Sequence, residues 1–138
     1  MKLSRKRGAN NQTGALGESL VAKFLMERKF TILEQNYTTP GGEIDIIAQR
    51  HDIIHFIEVK TVSHETKAEL QQAVSRGTWR PEEQVHQKKL TRISRAIESW
   101  LLANEAAVIT WQIDVCAVRM VPREKYATIK YLPNIIID

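Results

Sequence analysis

The sequence predicts an α/β protein in which helices flank a mixed central sheet of about five strands. Two amphipathic helix patterns are present, one near the start of the chain and one after its middle. Strand-like apolar segments come in a group of three between these helices and a group of two after the second helix. The 138 residues, 43% of them hydrophobic, are enough to bury the core of one domain. This order of elements is typical of the α/β class.

The first helix is predicted from about Thr13 to Arg28, where apolar residues repeat at helical spacing. Its apolar face consists of Leu16, Leu20, Val21 and Phe24. Residues 1–12 are basic and show no apolar pattern, so we predict a disordered tail there and a single domain over residues 13–138. The tail either keeps the protein in solution or contacts nucleic-acid phosphates.

Three strands are predicted next, at residues 30–37, 43–48 and 53–60. The turn Pro40-Gly41-Gly42 separates the first two strands. The short polar connection QRHD, residues 49–52, joins the second and third strands as a hairpin.

The second half of the domain is predicted to contain the crossover and the remaining strands. Residues 62–80 show no clear period and are predicted as a loop with a short helical piece at 67–74. Pro81 suits the first turn of a long helix that ends near Ala103. Two further strands are predicted at residues 110–118 and 126–131.

Composition limits the partners and the compartment. Twenty basic against sixteen acidic residues give a net charge of +4, which favours a polyanionic partner such as nucleic acid. The single cysteine, Cys116, excludes an internal disulfide and a cysteine-rich zinc site, and it fits a reducing cytosol. No apolar segment has the length of a membrane span or a signal peptide. We therefore expect a cytoplasmic protein without a membrane partner.

Acidic and apolar residues alternate in the predicted hairpin, which reads GGEIDIIA and then FIEVK. Successive side chains of a strand point to opposite faces of the sheet. Glu43 and Asp45 should therefore share one face, and Ile44 and Ile46 the other.

The register of the hairpin decides whether the acidic residues meet. A turn centred on His51-Asp52 places Asp45 directly across from Glu58, with Cβ atoms about 5 Å apart. Lys60 shares the face of Glu58. A turn of odd length would instead set Asp45 against Ile57 and separate the acidic groups.

Two carboxylates at this distance repel each other unless a cation neutralises them. Mg²⁺ takes oxygen ligands and keeps several waters, so Asp45, Glu58 and one backbone carbonyl suffice to bind it. Lys60 would then orient or deprotonate a water that attacks a phosphate. The alternative is a solvent-facing Glu58–Lys60 pair with Asp45 as a surface charge, because such alternation is normal in sheets.

The helices carry further candidate residues. Glu18 lies at the border of the apolar face of the first helix, where it supplies a third carboxylate or covers apolar surface with its stem. Lys89 on the long helix points toward the sheet. Lys88, Arg92 and Arg95 form a basic stripe on the other side, which is either a solvated face or a contact for nucleic-acid backbone.

These motifs resemble the PD-(D/E)XK nuclease signature and, more closely, the YraN-like family of endonuclease-like proteins, which is related to archaeal Holliday junction resolvases. The resemblance extends from Gly14 onward. It rests on Gly17-Glu18, the GEID and EVK strands, VHQKKL with Lys89, WQIDVCAV and the closing LPN. It implies a restriction-endonuclease-like core and DNA as the substrate. Because resolvases cut two strands as symmetric pairs, a homodimer is also expected.

The resemblance also implies residue roles. The implied catalytic residues are Asp45, Glu58, Lys60, Glu18 and Lys89, and the implied ligands of Mg²⁺ or Mn²⁺ are Asp45, Glu58 and the backbone carbonyl of Val59. Asp114 looks like a structural acid at a strand end. The segment Arg76-Gly77-Thr78-Trp79-Arg80 departs from the family pattern. It either holds nucleic acid through Arg76 and Arg80 or packs Trp79 onto the fold.

The sequence therefore predicts a metal-dependent endonuclease that hydrolyses DNA phosphodiester bonds, at branched or other non-B-form sites. The alternative is a non-catalytic nucleic-acid-binding or assembly module that retains the nuclease fold. The basic tail and the basic stripe would suffice for that module. The complete set of acidic residues and lysine favours the enzyme.

Overall fold

The computed structural model describes residues 2–76, 87–104 and 110–135, with side chains described from residue 12 and, in the long helix, from residue 91. The elements are α1 (Lys2–Glu27), β1 (Thr31–Thr39), β2 (Gly42–Arg50), β3 (Ile53–Ser63), α2 (Lys67–Arg76), α3 (Gln87–Ala103), β4 (Thr110–Val121) and β5 (Tyr126–Leu132). A short 3₁₀ turn at Pro122–Glu124 joins the last two strands. The predicted α/β fold with a five-stranded sheet and flanking helices is confirmed.

The strands form one sheet in the order β1-β2-β3-β4-β5. β3 and β4 are parallel, and the other neighbouring pairs are antiparallel. A parallel pair needs a long crossover connection, which here contains α2 and α3. The mixed character of the sheet follows from this crossover.

The β2–β3 hairpin has a two-residue turn, His51-Asp52. Both residues have positive φ, 51° and 62°, as a type I′ turn requires. Beyond the turn, the ladder runs from the pair Arg50–Ile53 to the pair Ile46–Ile57. The predicted even register of the hairpin is therefore confirmed.

Helices cover both faces of the sheet. The core cluster on the α1 side consists of Val21, Ala22, Leu25, Phe30, Ile46, Ala48, Ile57, Cys116, Val118 and Met120. The core cluster on the α3 side consists of Ile44, Ile47, Ile54, Phe56, Ile93, Ala96, Ile97, Trp100 and Ile113. Because β3 contributes residues to both clusters, it is buried on both faces.

The first helix is longer than predicted. It begins at Lys2 rather than Thr13, and no proline interrupts its backbone. Leu16 was predicted on the apolar face but is 47% exposed, and the buried face begins at Val21. The division of the chain into a tail and a domain stays a prediction.

The crossover is more regular than the predicted loop over residues 62–80. β3 continues to Ser63, and α2 occupies the place of the predicted helical piece. Residues 77–86, which include the predicted helix start at Pro81, lie outside the described residues. α3 ends at Ala103, as predicted. No helix in the described ranges is long and apolar enough to cross a lipid bilayer.

Candidate active site

β2 and β3 separate at the position of the predicted acidic pair. Their ladder ends at Ile46–Ile57, and the next step of the same register places Asp45 across from Glu58. Instead of a backbone pair, the Oδ2 atom of Asp45 accepts a hydrogen bond from the backbone N–H of Val59 at 2.7 Å. The side chain of Asp45 therefore takes the place of a ladder acceptor and lies in the opening between the strands.

The alternation of side chains along β2 breaks at this point. Ile44 packs on the α3 side together with Ile47, whereas Ile46 packs on the α1 side. The prediction that Ile44 and Ile46 share a face is therefore wrong. Strict alternation needs a regular strand, and on the neighbouring strand Asn36, which lies opposite Asp45 in the β1–β2 register, has a positive φ of 54°. The irregularity accompanies the hydrogen bond from Asp45 to β3.

Glu58 and Lys60 lie on the same face of β3, as predicted. Glu58 is buried, with 6% of its surface exposed. The Nζ atom of Lys60 lies 3.6 Å from its Oε1 atom. A buried carboxylate needs a partner of opposite charge, and Lys60 supplies one. The predicted alternative, in which this pair faces solvent, is contradicted by the burial.

Glu18 reaches the same site from α1. A Cβ atom on the preceding residue, Gly17, would lie 2.0 Å from Oγ1 of Thr61 on β3. α1 therefore approaches β3 at a point where only glycine fits. Glu18 shares a side-chain hydrogen bond with Asp45, so three carboxylates meet where the strands separate.

The electrostatics of the site centre on Asp45. Burial raises the pKa of Asp45 to about 8, and the negative charges of Glu58 and Glu18 act in the same direction. The hydrogen bond from Val59 lowers this pKa but does not offset the increase. At neutral pH, Asp45 therefore carries a proton in the absence of a competing cation.

This set of donor atoms fits a hard divalent cation, which prefers carboxylate oxygens and displaces the shared proton. Within the described residues, no group of three or more His, Cys, Asp or Glu side chains is arranged so that it could hold a metal ion. The fit is instead that of an open site with few protein ligands and several waters. Asp45 and Glu58 are the side chains that could hold the ion, with a backbone carbonyl as the third ligand.

The two glycines before the acidic motif let α3 pack closely on β2. A Cβ on Gly42 would lie 2.0 Å from the backbone oxygen of Arg92, and one on Gly41 would lie 3.2 Å from the Cβ of Arg95. The predicted stripe residues Arg92 and Arg95 are exposed beside this contact. Arg76 is exposed at the end of α2.

Three predicted residues cannot be placed. The side chains of Lys88 and Lys89 lie outside the described residues, although their backbone belongs to α3. The whole of Arg80 lies outside them as well. The predicted approach of Lys89 to the site stays a prediction.

A second buried carboxylate lies elsewhere in the sheet. Asp114 is fully buried, and its Oδ2 atom lies 2.6 Å from Nδ1 of His55 and accepts the hydroxyl of Tyr131. Its Oδ1 atom accepts hydrogen bonds from the side chain of Gln112 and the backbone N–H of Asn134. Sequence reasoning took Asp114 as structural but missed His55 and Tyr131. Alternation along β3, which puts His55 on the face of the buried Ile57, was the available signal.

The fold and this site define the chain as an α/β protein with a cluster of carboxylates and a lysine where two antiparallel strands separate. A family model described as "Uncharacterised protein family UPF0102" matches residues 17–118. A UPF0102 protein of Alkaliphilus oremlandii is 37% identical over 127 residues, which cover 91% of this chain and 97% of the relative. One of Dictyoglomus turgidum is 33% identical over 125 residues with the same coverage. The chain belongs to the UPF0102 family.

Proposed function

We propose that this protein is a cytoplasmic, divalent-metal-dependent endonuclease of the PD-(D/E)XK superfamily that hydrolyses DNA phosphodiester bonds. The observation that carries the proposal is the meeting of Asp45, Glu58 and Glu18 beside Lys60 at the opening of the β2–β3 hairpin. Gathering three carboxylates out of water costs stability unless a cation joins them. A nuclease needs a cation at its active site because its phosphodiester substrate is an anion, and the carboxylates would hold that cation.

Asp45, Glu58 and the backbone carbonyl of Val59 would hold Mg²⁺ or Mn²⁺. The N–H and the C=O of one residue point to the same edge of a strand, so the carbonyl of Val59 shares the edge at which its N–H meets Asp45. When bound, the cation polarises the phosphate and lowers the pKa of a coordinated water.

The other residues act on the substrate and the water. Lys60 places its ammonium group next to Glu58, where it orients the water and stabilises negative charge that develops on the phosphate. Glu18 accepts a hydrogen bond from the water and fixes its direction of attack. Asp45 releases its proton as the ion binds, which makes binding dependent on pH.

Branched DNA as the substrate, and a homodimer that cuts two strands, are part of the same proposal and rest on the family resemblance. Exposed Arg92 and Arg95 on α3 are suited to contact the DNA backbone near the site. They also favour the second candidate function, a nucleic-acid-binding or assembly module without catalysis.

The test is a cleavage assay at low salt with Mg²⁺ or Mn²⁺ on labelled four-way junction, flap, single-stranded and duplex DNA. We expect wild type to cut, Glu58→Ala to be inactive and Lys60→Ala to be slower by at least about 10²-fold. Glu98→Ala, which changes an exposed glutamate on α3, is the matched control and should cut as wild type does. Equal cutting by Glu58→Ala would end the enzyme proposal. Equal DNA binding by both proteins without cutting would favour the binding module.

A further inference from the structure

The helix α1 comes very close to the sheet one residue before Glu18. An ideal Cβ atom on Gly17 would lie 2.0 Å from Oγ1 of Thr61 and 3.0 Å from its Cβ and Cγ2 atoms. A real Cβ atom needs more room, so an alanine at position 17 would separate the helix from the strand. A Cβ atom on Gly14, one turn earlier, would meet nothing within 4 Å. The close approach therefore distinguishes the turn that carries Glu18 from the turn before it.

Three alternate residues of β3 face α1. Ile57 belongs to the core cluster on the α1 side, and Val59 packs against that cluster. Thr61 follows at the same alternation and contacts Gly17. The intervening residues of the strand, Glu58 and Lys60, point to the other face. The stretch of β3 that supports α1 is therefore the stretch that carries two members of the candidate site.

The contact between Gly17 and Thr61 is steric. The Oγ1 atom of Thr61 is buried and has no hydrogen-bond partner among the described residues. Threonine is branched at Cβ, which restricts its rotamers. Rotation of the side chain would in any case leave the Cβ atom of Thr61 only 3.0 Å from a Cβ atom at position 17. The shapes of the two residues therefore set the distance between α1 and β3 at this point.

The members of the candidate site are held to four consecutive residues of β3, Glu58–Thr61. Asp45 is attached to this segment by the hydrogen bond that it accepts from the backbone N–H of Val59. Glu18 belongs to a different element, and the contact of Gly17 brings that element against the segment. The hydrogen bond between Glu18 and Asp45 therefore depends on the distance between α1 and β3.

We propose that the contact between Gly17 and Thr61 positions Glu18, because it holds α1 at the distance from β3 at which Glu18 reaches Asp45 and the attacking water. Thr61 is thus a positioning residue that acts through Glu18 and does not touch the substrate. A displacement of about 1 Å in such a group can slow a reaction by about 10²-fold, because attack needs aligned reactants. The effect on catalysis rests on the proposed nuclease function, whereas the placement of Glu18 does not.

Crystal structures of variants of the full chain test the placement without a metal ion or a substrate. In Gly17→Ala, the added methyl group should separate α1 from β3, and we expect the hydrogen bond between Glu18 and Asp45 to be lost. The double variant Gly17→Ala/Thr61→Ala also removes Oγ1 and Cγ2 of residue 61, and it should restore the bond. Gly14→Ala is the matched control, because it makes the same change on the same helix in open space. It should keep the bond.

Cleavage kinetics on the DNA that wild type cuts best test the consequence for catalysis. We expect Gly17→Ala to lower kcat by about 10²-fold with little change in KM, because Glu18 orients the water and does not bind DNA. The double variant should recover most of this loss, and Gly14→Ala should have the kcat of wild type. A contact that only supports the fold would lower the free energy of unfolding and leave the kcat of the folded protein unchanged.

The possible results separate this inference from the nuclease proposal. If the bond between Glu18 and Asp45 persists in Gly17→Ala, or if the double variant does not restore it, the contact does not position Glu18. If wild type cuts none of the DNA substrates, the nuclease proposal alone fails, because the crystal structures still decide the placement. Should Gly17→Ala not fold, as circular dichroism would show, the double variant must fold and keep the bond, and its failure to do so would overturn the inference.

Discussion

Asp114 and Asp45 are both withdrawn from solvent in the same sheet, and their neighbours are of opposite kinds. Asp114 is contacted by His55, Tyr131, a glutamine side chain and a backbone N–H, all of which can donate to it. Asp45 receives one backbone N–H and otherwise faces Glu58 and Glu18. The first arrangement satisfies a buried charge, whereas the second concentrates like charges.

The difference separates a carboxylate that is satisfied within the fold from a cluster of carboxylates that is suited to a cation. A buried carboxylate that is surrounded by donors is stable as an anion. One that is surrounded by carboxylates is stable only with a proton or a cation. Burial alone does not distinguish the two sites. The two sites are distinguished by their neighbours, which are hydrogen-bond donors at Asp114 and negatively charged carboxylates at Asp45.

The largest expected effect is loss of stability at Asp114. Asp114→Ala leaves the donors of His55 and Tyr131 buried without their acceptor, which should lower the free energy of unfolding by about 3–5 kcal/mol. Tyr131→Phe removes a single hydrogen bond from the same network and should cost about 1 kcal/mol. Urea unfolding measures both variants. A loss below that of Tyr131→Phe would mean that the network does not support the fold.

Substitution of Asp45 is expected to raise the free energy of unfolding, whereas substitution of Asp114 lowers it. The pKa of Asp45 is about 8 in the folded protein, against an ordinary value of 3.8. Between these values the folded state binds more protons than the unfolded state, so the stability that this proton contributes is lost as the pH rises toward 8. Asp45→Asn cannot titrate and should therefore be more stable than wild type at pH 8 without divalent cations, by at least about 1.4 kcal/mol, the free energy that corresponds to one pKa unit.

Thermal unfolding in EDTA from pH 5 to pH 9 checks this change. The gain in Asp45→Asn should shrink as the pH falls, because the wild-type carboxyl is then protonated in the folded state. Glu43→Gln, on the same strand but exposed, is the control and should show no such trend. If Asp45→Asn were less stable than wild type at pH 8, Asp45 would be a satisfied acid like Asp114.

The sequence predicts those features of the Asp45 site that depend on short-range structure, such as the length of a turn. The short polar turn at His51-Asp52 determines the register of β2 and β3, and the predicted register holds as far as the pair Ile46–Ile57, one step before Asp45 and Glu58. The separate faces of Ile44 and Ile46 were not predicted, because the strand departs from alternation where Asp45 bonds to Val59.

Long-range contacts account for most of what was missed. Tyr131 meets Asp114 through the β4–β5 register, and His55 meets it across a parallel pair that is reached only through the crossover. Neither pairing follows from a turn of known length. The position of α2 against β4 was not predicted either, because residues 62–80 show no clear period. Local chemistry was therefore easier to predict than packing between distant segments.

The smallest expected effect is the stabilisation of the folded protein by a divalent cation, which should depend on Asp45 and not on Asp114. A cation that binds only the folded state stabilises it by RT ln(1 + [L]/Kd), which is about 1.4 kcal/mol at ten times Kd. Mn²⁺ or Mg²⁺ should therefore raise the melting temperature of wild type by a few degrees and leave that of Asp45→Asn and Glu58→Gln unchanged. Tyr131→Phe should keep the full shift, because the Asp114 network has no place for a cation. Equal shifts in all four proteins would show that the ion binds elsewhere, and the three carboxylates would then be held together by a shared proton alone.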